Sequence, residues 1–294
     1  RRKYRMKKKY YILFAGICLY GLGCTTKPVV LSRYLSTEKN VQFLVDKGKS
    51  HWEKRINPKD AERARLFLSK AYYQNPNNGE VSALYSRVCF FIGYYLEEDP
   101  DKSDSLFIEG MGTTWDFIIS TEAYQEGYAL TEGDSIVKMI SGIENTPQEI
   151  IPVLYWWVAN YSRFLLTKPV MERIEKREII ETALHRILAL NPNFFYHGAN
   201  RIFGGIYARL PGVELSHSEN NFEKSIAGSP NYLGTYVMRA QYFHTKSGNR
   251  EKFVQDLQFV LQADPTLLPE VSPENLLEQE KARRLLAKKS ALFE

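Results

Sequence analysis

Cysteine is scarce. The 294 residues include only Cys18, Cys24 and Cys89, and two of these fall in the first 24 positions. No disulfide framework holds the body together, so a hydrophobic core must do so. Histidine is nearly as sparse. His51, His185, His197, His217 and His244 contain no pair at the three-to-five spacing of a helix-borne metal site, and none sits beside a Cys or carboxylate set. No metal and no cofactor is therefore expected. Phosphate-cradling loops, a Gly-x-Ser-x-Gly elbow and a His-Glu-x-x-His pair are all missing. Gly110-Met111-Gly112 and Gly204-Gly205 lack the strand-loop-helix setting of a nucleotide site. These absences argue against an enzyme. Alternating apolar segments joined by two-residue turns are also lacking, which excludes a sheet-based fold.

An excess of positive charge is lacking too, once its location is noted. Of 39 basic side chains, seven lie within the first nine positions, and removing residues 1–23 leaves 32 against 34 acidic ones. The basic balance belongs to the N-terminus, and with it goes the electrostatic case for a nucleic-acid partner.

That N-terminus has a basic stretch and an uncharged apolar run from Tyr10 to Leu22, followed by Gly23-Cys24-Thr25-Thr26. The run is too short to span a bilayer comfortably, which takes roughly 20 residues, and its flanks are those of a secretory signal. Translation is expected to start at Met6. The segment Leu19 to Cys24 resembles the lipidation pattern of bacterial lipoproteins, with Gly21 where that pattern usually carries Leu. The expected organisation is a signal peptide over 1–23, a lipidated tether over 24–37 anchored through Cys24, and a helical domain over 38–294. An uncleaved anchor gives nearly the same location, at the cell envelope. Cys89, within Val88-Cys89-Phe90-Phe91-Ile92, reads as a small buried hydrophobe.

The body carries a recurring helix ending, a polar residue followed by proline: Asn75-Pro76, Asn191-Pro192, Ser229-Pro230 and Asp264-Pro265. Proline lacks the amide donor and clashes with the preceding turn, so each predicts a helix stop. The prolines lie 116, 38 and 35 residues apart, the last two close to the ~34-residue tetratricopeptide period. Ala64, Leu68, Ala71 and Pro76 match that repeat's second helix, and Ser218, Phe222, Ser225 and Pro230 keep its outline. Stripes at Ala64, Phe67, Leu68, Ala71, Tyr72 and at Ile180, Ala183, Leu184, Ile187, Leu188 predict amphipathic helices. Asn57-Pro58 predicts a capped helix start, and Thr146-Pro147-Gln148-Glu149 and Ser216-His217-Ser218-Glu219 read as capping boxes. The expected fold is all-α, with irregular tetratricopeptide-like hairpins packed into one compact domain.

Two segments are unusual for plain scaffold. Leu154 to Leu166 is apolar on nearly every face, which fits either a central core helix or a pocket wall. In the pocket reading Tyr155, Trp156 and Trp157 supply apolar area, and Asn160 and Arg163 supply polar contacts. Phe194 to Gly212 places glycines within a helical region, where each costs about 1 kcal/mol against alanine, and close helix contact or a cavity wall would explain them. Asn200, Arg201 and Tyr207 complete the candidate ligand set, with Arg201 able to pair with a ligand carboxylate or with an acidic side chain.

Several runs together resemble one family: Asn75 to Glu80, Ile151 to Trp157, Gly198 to Gly212, Phe222 to Ile226, and Asp264-Pro265 leading to Lys281-Ala282-Arg283-Arg284-Leu285-Leu286. From about Val41 to its end the chain is similar to the T-component (TatT) lipoproteins of TRAP transporters. The resemblance implies tetratricopeptide-like hairpins, a lipid-tethered periplasmic location and a homotrimer with a pore or cleft through each subunit. It also implies docking to the transporter's periplasmic substrate-binding protein. Two other functions compete with this one. A ligand-free scaffold for envelope assembly would have a solid core at Trp156, Trp157 and Arg163. A wall or glycan hydrolase would need paired carboxylates, for which Glu122, Glu126 and Asp134 are the residues to inspect.

Overall fold

Helix boundaries follow the local chemistry of the chain. The structure is a computed structural model that describes residues 29–294; the signal segment and Cys24 lie outside the described residues. Every regular element in it is helical: α1 (Val29–Trp52), α2 (Pro58–Gln74), α3 (Gly79–Phe91), α4 (Pro100–Ser120), α5 (Glu122–Leu130), α6 (Ser135–Glu144), α7 (Ile151–Leu166), α8 (Val170–Glu175), α9 (Arg177–Leu190), α10 (Phe194–Arg209), α11 (Leu215–Gly228), α12 (Gly234–Met238), α13 (Arg250–Gln262), α14 (Ser272–Ala287) and α15 (Lys289–Leu292). Helix α1 starts at Val29 and so runs back into the stretch read as tether. No helix among the described residues is long and apolar enough to cross a membrane.

All four polar-proline dipeptides stop a helix, following α2, α9, α11 and α13. Asn57 caps α2 by accepting from the Lys59 amide at 3.0 Å, with Pro58 in the first turn. The two expected capping boxes do not form. Thr146 turns back to donate to the Ile143 carbonyl at 2.7 Å and so closes α6. Ser216 lies in the first turn of α11, whose N-cap is Glu214, and donates to the Glu214 carboxylate at 3.4 Å, while Ser218 is buried and donates to the Gly204 carbonyl of α10 at 2.7 Å. Thr146 thus satisfies a carbonyl of α6 and Ser216 a side chain beside its own turn, so neither hydroxyl closes a reciprocal box.

Neighbouring helices pair along the chain, α1 with α2, α3 with α4, α5 with α6, and α10 with α11. Two of these pairs share one device. A Cβ added to Gly48 of α1 would lie 2.6 Å from Leu68, and one added to Gly204 of α10 would lie 2.8 Å from Phe222. The bulky residue of the second helix is seated on a glycine of the first, which lets the two backbones close. Ala64, Leu68 and Ala71, and likewise Ser218, Phe222 and Ser225, are fully buried around these seats.

Helix α7 breaks the pairwise order. It packs across α4, α3 and α9, and its Leu154 and Val158 join Ile118, Ile143, Ala183, Leu184 and Ile187 in the largest apolar cluster. Two short π-helical turns extend neighbouring elements, Ile92–Leu96 after α3 and Arg239–His244 after α12. They bring tyrosines toward α7.

Candidate functional site

Consecutive residues of α7 face different voids. Tyr155 and Arg163 line a narrow inner cavity of about 40 Å³, room for a few waters. Its other walls are Tyr94 and Tyr95 of the first π turn, Tyr242 of the second, Phe195 and Arg201 of α10, Tyr232, and Glu278 of α14. Trp156 faces an open cleft of about 870 Å³, together with Arg87, Phe117, Phe195, Tyr196 and His197. Trp157 points away from both. It stacks on Trp115 at 5.0 Å beside a third hollow lined by Met111, Ile136, Met139 and Ile179.

Phe195 lines both the cavity and the cleft, and its backbone is unusual. Phe195, Tyr196 and His197 have φ of 45°, 57° and 54°, one left-handed turn built from three bulky residues. Each such residue costs roughly 1–2 kcal/mol. The surroundings hold the turn in place. Arg201 donates to the Tyr196 carbonyl at 3.0 Å, the Phe195 carbonyl at 3.2 Å and the Tyr155 hydroxyl at 3.0 Å. His197 Nδ1 lies 2.9 Å from Ser229 Oγ, and Tyr196 stacks on Tyr232. A Cβ on Gly198 would lie 2.4 Å from the Tyr155 hydroxyl, so this glycine lets α10 close on α7. Burial, with Arg201 nearby, lowers the His197 pKa below its usual 6.5.

The cavity is positively charged. Arg163, 8 % exposed, lies 3.8 Å from the Tyr94 ring and donates to the Tyr242 hydroxyl at 3.0 Å. Arg201, 5 % exposed, lies 4.0 Å from the Tyr232 ring. Lys281 sits behind Tyr94 and donates to its hydroxyl. None of the three meets a carboxylate at ion-pair distance among the described residues. Burial pushes the Tyr242 phenol up, yet Arg163, Lys281 and Arg209 outweigh it and hold the phenol below its usual pKa.

The structure thus brings Tyr155, Arg163 and Arg201 together and leaves the other candidates apart. Asn160 is fully buried and donates to Ser86 Oγ at 3.0 Å and to the Trp156 carbonyl at 2.9 Å, which ties α7 to α3. Asn200 donates to Asn221 at 3.0 Å across α10 and α11. Tyr207 packs against Phe203. The hydrolase candidates do not converge on a cleft: Glu122 and Glu126 are exposed on α5, and Asp134 caps α6 by accepting from the Ile136 and Val137 amides. Cys89 is fully buried, its thiol 3.6 Å from Glu109, and burial pushes its pKa well up.

The profile of the TRAP transporter T-component (TAtT) matches residues 97–293. The chain belongs to that family. As a T-component it is an accessory component of a TRAP-type transporter, at the cell envelope. The matched span begins just before α4, so the resemblance traced from Val41 is wider than the match. Of the cavity walls only Phe90, Tyr94 and Tyr95 fall outside it. A comparison with curated proteins finds no match for this T-component.

Proposed function

We propose that this T-component is a periplasmic lipoprotein, anchored through Cys24, that docks the transporter's substrate-binding protein and receives an amphipathic acid in its inner cavity. Its tetratricopeptide-like hairpins form the frame, and a homotrimer is the expected assembly. One observation carries the ligand reading: Arg163 and Arg201 are buried in an aromatic cavity and, among the described residues, neither has a carboxylate at ion-pair distance, Glu278 being the one acidic wall. A buried cation is costly unless it is paired, and a ligand carboxylate would pair it. Aromatic walls supply the apolar area, while tethering keeps the local concentration of the partner high. The cavity as it stands holds only a few waters, so acceptance of a ligand requires its walls to move apart.

That small volume favours the other reading, a ligand-free scaffold. Calorimetric titration of the purified full chain with apolar carboxylic acids, and with the corresponding amides, separates the two. Binding of acids but not amides, lost in Arg163→Met and Arg201→Met, supports the acid site. The absence of any binding leaves the scaffold. Co-purification with the transporter's substrate-binding protein, read by light scattering, tests docking and assembly: a defined complex on a trimeric core is expected, and a lone monomer would defeat this part of the proposal.

A further inference from the structure

Helix α14 has a highly polar sequence, yet Glu274, Asn275, Glu278 and Gln279 on it are all buried. Three of the four are fully used in holding the fold. Glu274 accepts from Arg55 at 2.6 Å. Asn275 accepts from the Leu233 amide at 3.1 Å and donates to the Asn231 carbonyl at 3.2 Å. Gln279 donates to the Val260 and Ala263 carbonyls, both at 2.9 Å.

Glu278 differs from these three. It is 2 % exposed, and Oε1 accepts from the Tyr95 hydroxyl at 2.8 Å. Oε2 is buried without a hydrogen-bond partner among the described residues. The same side chain lines the inner cavity. The other buried side-chain atoms left without partners belong to Arg87, Asn160, Arg173, Gln241 and His244, and none of those residues lines this cavity. Gly234 keeps the space open, since a Cβ there would lie 3.1 Å from Glu278 Oε1. The cavity therefore presents two kinds of recognition on opposite terms. The Arg163 guanidinium, with one hydrogen bond to Tyr242, has donors to spare, and Glu278 Oε2 asks for a donor.

We propose that the ligand of this cavity is a 2-hydroxy or 2-amino acid with an apolar side chain, its hydroxyl or amine donating to Glu278 while its carboxylate meets Arg163. This rests on the reading of the cavity as an acid site. A simple acid would leave Oε2 without a donor and would add its own charge to a void that already holds one carboxylate. An acid carrying a donor beside its carboxylate satisfies both groups at once. Tyr155, Phe195 and Tyr232 then cover its apolar part.

The test titrates the full chain with two matched series: phenylpropionate, phenyllactate and phenylalanine, and isocaproate, 2-hydroxyisocaproate and leucine. The hydroxy or amino member of a series is expected to bind roughly tenfold or more tighter than the plain acid, the range set by leaving one buried polar atom unpaired. Glu278→Gln and Glu278→Leu should remove that preference while plain-acid binding persists. The comparison within each series uses the unaltered protein, so it stands even if a variant fails to fold. Equal binding of all three members would overturn the role of Glu278 and leave the acid site intact. No binding by any of the six would overturn the acid site and this inference with it.

Discussion

Arg163 is held by rings and one hydroxyl, with no carboxylate at ion-pair distance among the described residues, and this makes a sharp distinction between stability and function. An apolar side chain of similar length removes a buried cation and leaves the packing on Tyr94 largely in place. Arg163→Met is therefore expected to keep folding stability within about 1 kcal/mol, as read by urea unfolding, while abolishing acid binding. Asp256 is the opposite case. It accepts from Arg239 at 2.6 and 2.7 Å and lies 3.1 Å from His244 Nε2. Burial raises its pKa, but the hydrogen bonds from His244 and Arg239 more than offset this and hold it below the usual 3.8. The stabilisation is complete above the unfolded value near 4 and disappears as pH falls through the lower folded one. Asp256→Ala should cost about 3–5 kcal/mol at neutral pH, the usual penalty of breaking a buried pair. The deficit should shrink below pH 4, which melting curves across pH would show.

At the level of the element, the left-handed turn at Phe195 to His197 is the least expected piece of the fold. Asparagine tolerates this conformation better than other non-glycine residues, and it also retains a polar atom for Ser229. His197→Asn is expected to stabilise the protein by up to about 1 kcal/mol, measured by denaturant midpoint at constant slope. A net loss would mean that the His197 ring, wedged against Gly228, contributes more than the strain costs. The sequence announces none of this, because a left-handed turn is signalled by glycine or asparagine and here consists of Phe, Tyr and His. Helix stops were legible, since proline acts through its own backbone. So were the stripes, since Ala64, Leu68, Ala71 and Ile187 obey a helical period and are all fully buried. The cavity was half legible. Tyr155, Arg163 and Arg201 stood out as polar or aromatic residues in apolar surroundings. Glu278 and Lys281 did not, because a charged stretch such as Glu278 to Arg284 reads as a solvated face. Tyr94, Tyr95 and Tyr242 depend on π turns, where the usual 3.6-residue bookkeeping fails. Trp157 shows the limit of reading a run as a unit: adjacent positions on a helix diverge by about 100°, so Tyr155, Trp156 and Trp157 serve three different hollows.

Across the whole molecule, the first hairpins and the last long helix are joined directly. Arg55, beyond the end of α1, binds Glu274 of α14 through Nε and Nη2, donates to the Trp52 and Glu270 carbonyls, and stacks 4.3 Å from the Trp52 ring. Leu277 of α14 belongs to the same apolar cluster as the first hairpins. Arg55→Ala leaves Glu274 buried with only Arg87 near it, at 3.6 Å, and should cost about 3–5 kcal/mol in chemical unfolding. The double change Arg55→Met with Glu274→Leu should cost clearly less. Additivity of the single losses in that double variant would show that the two side chains act independently.

The two partners of this clasp are 219 residues apart in the chain. Contacts so distant form late, after the loop between them has been ordered. A chain emerging from its N-terminus has its hairpins long before it has α14, and until α14 arrives there is neither a clasp nor a Glu278 wall. The complete cavity is thus a product of completed folding, and a polypeptide cut short before α14 would lack both its Glu278 wall and the Arg55–Glu274 pair.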